Sequence, residues 1–258
     1  LAHHDVREYP LDSADSLHLQ IEAMKLAFGK AHAHISDPDA MTVSPESLLD
    51  RDALKALAGR IRRDRASVPP PAPRPDRGTV YLTTADRAGM MVSFIQSNYA
   101  GFGSGIVVPG TGISLHNRGR GFRLTPGHPN QVAGGRRPFH TIIPGFVTRD
   151  GAPLMSFGVM GAHMQPQGHV QMVVRIFDYG QNPQAASDAP RWHVLEDGTL
   201  ALEEGVDPAV AADLEARGHR IIGGPPPFGF GGAQLVLRLE RGYCAASDHR
   251  KDGCAVGF

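Results

Sequence analysis

Gly78-Thr79-Val80-Tyr81-Leu82-Thr83-Thr84 stands where two kinds of sequence meet. Just upstream, Pro69, Pro70, Pro71, Pro73 and Pro75 crowd a short stretch that lacks most backbone donors, the composition of an extended polyproline tether. Downstream, β-branched and aromatic residues run from Val80 to Ala85. The turn residues Asp86-Arg87-Ala88-Gly89 follow, and the pattern resumes from Met90 to Gln96, which predicts a β-hairpin. A threonine at this junction has two readings. It can simply open a strand, which its branched side chain favours. If the Gly78–Thr79 bond breaks, it also becomes an N-terminal residue carrying a hydroxyl nucleophile and a free α-amine, and that amine can act as the adjacent general base.

Working outward from the hairpin, Ser13 is placed to cap a helix over 13–35 in which Leu17, Ile21, Met24 and Phe28 recur at spacings of three and four. Asp37-Pro38 ends it, because the residue before a proline is pushed out of the helical region. A second helix is predicted from Pro45 to Arg62, capped by Ser44 and carrying Leu48, Leu49, Leu54, Leu57 and Ile61. The basic run from Arg60 to Arg65 reads as its solvated end. Beyond the first hairpin, His140 to Thr148 and Ala152 to Phe157 form a second one around Arg149-Asp150-Gly151. Both hairpins are apolar enough to predict burial on both faces. A buried helix over 168–178, an amphipathic helix from Pro208 to Arg217 closed by Gly218, and a late hairpin from Ala233 to Glu240 and Tyr243 to Ala246 complete the reading. The class is α+β. Two buried sheets with helices outside would make a four-layer αββα sandwich, a layout that periodicity permits without establishing.

The chain of 258 residues is long enough for one large domain or two ordinary ones. Lys and Arg together number 26, as do Asp and Glu, so no charge bias points to nucleic acid or an acidic membrane. No apolar run approaches the ~20 residues that span a bilayer. Cys244 and Cys254 fit no zinc spacing and read as inert thiols. His32 and His34 are two apart on a helix and face apart, while His163 and His169 read as loop residues, so the histidines look dispersed and no metal site is expected. Gly101-Phe102-Gly103-Ser104-Gly105 is neither a dinucleotide fingerprint nor a nucleophile elbow.

In order along the chain, Ser13-Ala14-Asp15-Ser16-Leu17 with His18-Leu19-Gln20-Ile21-Glu22-Ala23-Met24-Lys25, then Asp37-Pro38, Thr79 with Asp86 and Gly89, Phe102-Gly103-Ser104-Gly105, Arg137-Pro138, Gln171-Met172-Val173 with Asp178-Tyr179-Gly180, Ala189-Pro190-Arg191 and Ala246-Ser247-Asp248 resemble the γ-glutamyltransferase family of N-terminal-nucleophile hydrolases. The likeness covers essentially the whole chain. It implies the αββα fold and a precursor that cuts itself between Gly78 and Thr79. Residues 1–78 would then be the last part of a large subunit, with the tether, and 79–258 the small catalytic subunit. The N-terminal part of the precursor would lie outside this sequence, the whole forming one compact domain. Implied partners are that large-subunit segment and a small amide substrate, with a heterotetramer of processed subunits as the assembly. No cofactor or metal is implied, and a cytoplasmic location is expected by analogy.

The resemblance also assigns roles. Thr79 is the nucleophile and Thr83 a hydroxyl that buttresses it. Gly161 and Ala162, in the loop Gly158-Val159-Met160-Gly161-Ala162, supply backbone N–H groups to the oxyanion; a plain turn between strand and helix is the other reading. Gln96 and Asn98 are polar groups near the substrate, though Asn98 also reads as a turn residue. Three departures bear on specificity. The acidic pair that holds a γ-glutamyl α-ammonium is missing from His116-Asn117-Arg118-Gly119-Arg120, where Arg118 or Arg120 would attract a carboxylate instead. The paired serines after Arg-Pro-Leu become His140-Thr141, and Tyr81-Leu82 replace the usual residues after the nucleophile. These changes resemble an oxamate amidohydrolase-like subgroup, which implies a small carboxylate-bearing amide as substrate. A true γ-glutamyltransferase and an unprocessed, inert relative with a binding role remain the alternatives.

Overall fold

The computed structural model describes residues 1–68, 78–224 and 229–258; the predicted tether, 69–75, lies outside the described residues. The residues gather in two units, and each is described by itself. One comprises Leu1–Arg74, Arg118–His140 and Trp192–Gly224, the other Pro75–Asn117, Thr141–Arg191 and Pro225–Phe258.

The first unit is built on α1 (Ala14–His34). Its N-cap is Ser13, whose hydroxyl accepts the Ser16 amide at 3.3 Å, an interaction worth about 1 kcal/mol. Asp37 folds back after the helix. Its carboxylate accepts the amides of Asp39 at 3.1 Å and Arg137 at 2.8 Å, so two of the sequence signatures, Asp37-Pro38 and Arg137-Pro138, meet in one tie. These backbone donors hold the Asp37 carboxyl below its ordinary range. The single helix expected from Pro45 to Arg62 is two helices, α2 (Pro45–Leu48) and α3 (Arg51–Ala58). The cause is Asp50. Its carboxylate accepts the Ala53 amide at 2.8 Å and starts a new helix, with Asp50 itself in an extended conformation that no helix interior adopts. A small sheet of β5 (Trp192–Val194), β6 (Leu200–Leu202) and β7 (Ile221–Ile222) and the helix α6 (Pro208–Ala216) complete the unit. Gly218, at φ +94°, closes α6 as the glycine there predicts.

The second unit holds the hairpin β1 (Thr79–Ala85) and β2 (Met91–Ser97), and a four-stranded antiparallel sheet. That sheet has the order β3 (Gly145–Arg149), β4 (Ala152–Met160), β8 (Gly232–Arg238), β9 (Tyr243–Ser247). Met155, Phe157 and Val159 alternate along β4 and join Leu235 of β8 in a core with Met172 and Ile176. The last two belong to α4 (Met164–Val173) and the single π-helical turn Val174–Asp178 that prolongs it; Ala186 of α5 (Pro183–Asp188) joins the same core. α4 begins four residues before the predicted start, and His169, also read as a loop residue, is helical. Pro166 falls in the first turn, where a proline is tolerated, and Gly168 is glycine because a Cβ would run into Val159. The even-numbered face of β4 looks the other way, toward the hairpin: Ser156 bonds Thr83, and a Cβ at Gly158 would strike the Tyr81 ring. Helix, sheet and hairpin therefore make three layers within this unit.

One expectation fails here. The β1–β2 hairpin is buried on one face only: Tyr81 is 4% exposed, whereas Val80, Leu82, Val92 and Phe94 on the reverse face are all exposed. Both faces carry apolar residues as expected, but period-two alternation cannot say whether a second layer covers the far side.

Candidate active site

Register places the residues around Thr79. The hairpin closes with the Asp86 amide donating to the Met90 carbonyl at 3.0 Å, and counting back from there pairs Thr79 with Ser97. The Thr79 hydroxyl donates to Ser97 Oγ at 3.0 Å, and Ser97 Oγ also accepts the Tyr99 amide at 2.8 Å. Ser97 was absent from the sequence candidates, although the turn position contains the signal that finds it. Gly78 precedes with φ +152°, and a Cβ there would come within 3.0 Å of the Tyr99 and Gly101 carbonyl oxygens. Glycine at the junction is thus favoured by a conformation and a close approach that would strain any other residue.

Thr83 shares Thr79's face of β1, but four residues of strand separate them by ~13 Å. Its hydroxyl bonds Ser156 of β4, a buried residue. Between the two threonines lies Tyr81. Its OH meets Ser93 Oγ at 2.7 Å, and since Ser93 donates to the Gly145 carbonyl at 2.8 Å, Tyr81 is the donor of that pair. Burial pushes the Tyr81 phenol up to about 12 against the opposing hydrogen bonds of Ser93 and Thr83, so it stays neutral and keeps its proton for Ser93. The buried face of the hairpin is thus a ladder of hydroxyls.

Gln96 lies opposite Val80, on the reverse face of the hairpin from Thr79. Asn98 follows Ser97 directly, and its carbonyl accepts the Asn117 amide at 3.2 Å. The Asn117 side chain takes the Ala100 amide at 2.9 Å and donates to the Gly103 carbonyl at 3.0 Å, stapling the glycine-rich turn after β2. Gly161 and Ala162 sit at the β4–α4 junction with φ +135° and +53°. Ala162 is the unusual one, since a left-handed conformation costs an alanine about 1–2 kcal/mol. Their carbonyls accept the Met164 and Gln165 amides at 2.9 and 3.0 Å and so begin α4. The Gln165 side chain turns back to accept the Ile143 amide at 3.1 Å, two residues beyond buried Thr141. Arg118 and Arg120 stand on a 3-10 turn, Arg118–Gly121, of the first unit; His140 also belongs to that unit and Thr141 to the second. Two further signatures prove to be scaffold: Arg191 and Asp248 form a fully buried ion pair at 2.6 Å. Both cysteines are free. His169, against Phe157, is pushed down to about 4 by burial alone and stays neutral.

A strand-borne threonine thus follows a glycine in a conformation that strains other residues and faces a hydroxyl partner. The family model described as gamma-glutamyltranspeptidase matches residues 1–258. The chain belongs to that family. It is 36% identical over 96% of its length to an oxamate amidohydrolase proenzyme of Klebsiella pneumoniae, of which it covers 48%. It is 33% identical over its full length to a glutathione hydrolase-like proenzyme of Bacillus subtilis, covering 50% of that protein. Among solved structures, a cephalosporin acylase from Bacillus halodurans superposes with a TM-score of 0.88 at 43% identity, over 97% of this chain and 47% of that one. The gamma-glutamyltranspeptidase-family chain therefore spans about half the length of the relatives it matches. Those relatives are an oxamate amidohydrolase, a glutathione hydrolase-like protein and a cephalosporin acylase, the first two named as proenzymes, and the mixed helix-and-sheet fold is shared with the acylase. Among the described residues no helix is long and apolar enough to cross a membrane.

Proposed function

We propose that this chain carries the nucleophile of a self-processing amide hydrolase, with Thr79 freed by scission of the Gly78–Thr79 bond. The observation that carries the reading is the Thr79–Ser97 hydrogen bond, 3.0 Å, beside a glycine at φ +152° where a Cβ would crowd two carbonyl oxygens. In the first step the Thr79 oxygen attacks the Gly78 carbonyl carbon. The peptide C–N bond gives way to an ester, the nitrogen becomes the free α-amine, and water hydrolyses the ester. In turnover the same oxygen attacks a substrate amide, the α-amine takes its proton and hands it to the leaving amine, and water releases the acyl group. Ser97 fixes the hydroxyl rotamer in both steps.

The contacts along β4 support the same reading. Tyr81 packs on Gly158 and Thr83 on Ser156, so two residues forward on β1 is two back on β4. Continued one step, that register sets Thr79 level with Met160, next to Gly161 and Ala162, whose amides are the oxyanion donors in this reading. The four-layer sandwich, the heterotetramer and the contribution of a longer precursor belong to this proposal. So does the substrate class, a small amide bearing a carboxylate, with Arg118 or Arg120 as its clamp and Gln96, Asn98, His140 and Thr141 as the other substrate-binding residues.

A denaturing gel with N-terminal sequencing tests the nucleophile. The full precursor should give two fragments, the lighter beginning at Thr79, and Thr79→Ala should leave one uncut chain without amidase activity. A single chain in both would instead favour the inert relative. Turnover of oxamate, lost in Arg120→Ala or Arg118→Ala, supports the carboxylate clamp; strong turnover of a γ-glutamyl anilide alone refutes it.

A further inference from the structure

Far along the sequence from any residue assigned above, α1 presents His18, Glu22 and Lys25 on one face, at the spacing that stacks side chains along a helix. All three are buried, and so is His219 beyond α6. The Lys25 ammonium donates to Glu22 Oε1 at 2.8 Å and to the Ser67 carbonyl at 3.0 Å, and it stands 3.3 Å from His219 Nδ1. An ammonium has only donors, so Nδ1 of His219 is the acceptor and Nε2 carries the ring proton. That proton goes to His18 Nδ1, 2.8 Å away, which leaves His18 protonated on Nε2, donating to the Arg62 carbonyl at 2.7 Å. One assignment of protons satisfies every link, and both rings in it are neutral.

The relay ends on backbone. Besides the Arg62 and Ser67 carbonyls, Glu22 Oε2 accepts the Ser67 amide at 2.9 Å. Arg217 takes the Ala66 amide on its carbonyl at 2.6 Å and donates from its guanidinium to the Arg63 carbonyl at 3.1 Å. The side chains of Arg62, Arg63, Asp64 and Arg65 are exposed. The stretch is therefore held by its main chain, and what holds it is buried. Two histidines and a glutamate with atoms within 4.8 Å of one another have the composition of a cation site. Lys25 already supplies the positive charge and occupies both the Glu22 and the His219 lone pairs, so the cluster is complete without one.

We propose that the Glu22–Lys25–His219–His18 relay is an acid-sensitive latch that fastens the Arg62–Ser67 backbone, the stretch leading to the Gly78–Thr79 junction, onto α1. A proton on either ring breaks a link: His219 can no longer accept from Lys25, or His18 from His219. The charged neighbours resist it. Lys25 and the other histidine face His219 from α1 and Arg217 from the end of α6, with Glu22 the anion inside the cluster; Asp15 and Asp213 are engaged by Arg217, and the Asp213 carboxylate also feels His18. Burial first, then Lys25, His18 and Arg217, hold the His219 ring down to about 3, and burial lowers His18 as well. Closed, the latch keeps the upstream piece of a cut chain seated on its own unit. That consequence rests on the Thr79 reading; the latch does not.

Amide hydrogen exchange of the full chain at about pH 7.5 and about pH 4.5, corrected for intrinsic rates, tests it at the Ala66 and Ser67 amides. Because the open rings titrate near 6.5, protection there should fall on the order of a hundredfold in acid, while the β5–β6 amides of the same unit keep theirs. His219→Gln, whose amide can both accept from Lys25 and donate to His18 without titrating, should hold protection at the higher pH and lose most of the acid response. His219→Ala should lose protection at both. Equal loosening of the β5–β6 amides, an unchanged Ser67 amide in acid, or a His219→Gln chain as acid-sensitive as the parent each overturns the latch. None of these outcomes depends on whether Thr79 is released, which the gel reads separately.

Discussion

In the second unit Arg191 and Asp248 form an ion pair that is fully inaccessible, with Arg250 at the rim; in the first a buried pair, Glu22 and Lys25, is joined to two histidines. Both clusters tie distant segments together by main-chain groups. Arg191 donates to the Phe230 and Ser187 carbonyls and Asp248 accepts the Ala233 amide, as Lys25 and Glu22 grip Ser67. The chemistry differs. Burial pushes the Asp248 carboxyl up, but Arg191, the Ala233 and Arg250 amides and the Arg250 charge outweigh it and leave the group below its ordinary range. Nothing in that cluster titrates between mildly acidic and neutral pH. The other contains two rings that do once the cluster opens and water reaches them. A cluster of guanidinium and carboxylate makes a permanent rivet, and a cluster with imidazole makes a fastening that acidity can undo.

The contrast can be broken most directly at Asp248. Replacing it by alanine strands a buried guanidinium and should cost about 3–5 kcal/mol in urea denaturation. The loss should be the same at neutral pH and in mild acid. Lys25→Met should cost somewhat less, about 3 kcal/mol, because Glu22 keeps the Ser67 amide, and it should also reduce the acid dependence of the Arg62–Ser67 stretch, since the link that a proton on His219 Nδ1 breaks is already gone. For pH itself the sign is fixed by the direction of the shift. His219 binds its proton more weakly folded than unfolded, so stability is greatest above about pH 6.5 and falls as the pH drops toward about 3. One such ring is worth about 2 kcal/mol by pH 5, read from chemical denaturation monitored in the first unit. Smallest is Arg250→Ala, at about 1 kcal/mol, since Arg191 remains on Asp248 and the Arg250 side chain is partly solvated. A steep pH dependence for the Asp248 variant, or none for the parent chain, would erase the distinction between the clusters.

Much of this architecture was legible because it is local. Ser13 capping α1, the Asp86–Gly89 turn and Gly218 after α6 each act within a few residues, and each forms as the sequence implies. The errors have local causes that were visible but ambiguous. Asp50 inside a leucine-rich run could have been a solvated helix residue, and its carboxylate caps a new helix instead. The helix predicted from residue 168 starts four residues earlier, at Met164, because Pro166 sits in a first turn, where it is tolerated, and Gly168 makes room for Val159. The family signatures Asp37-Pro38, Arg137-Pro138, Arg191 and Asp248 could be recognised without their role being known, which is to tie the chain to itself. Ser97 was recoverable by counting the hairpin register. His18 and His219 were not: no pattern in one sequence tells that residues two hundred positions apart share a proton.

The Tyr81 ring lying where a Cβ at Gly158 would be makes these two positions a single design variable. A side chain added at 158 is admissible only with a smaller residue at 81, and a smaller residue at 81 alone leaves a hole under the strand that bears Thr79. Libraries meant to reshape substrate preference by varying the residues after Thr79 one at a time will mostly sample damaged frameworks. Varying 81 and 158 together opens combinations that single steps cannot reach.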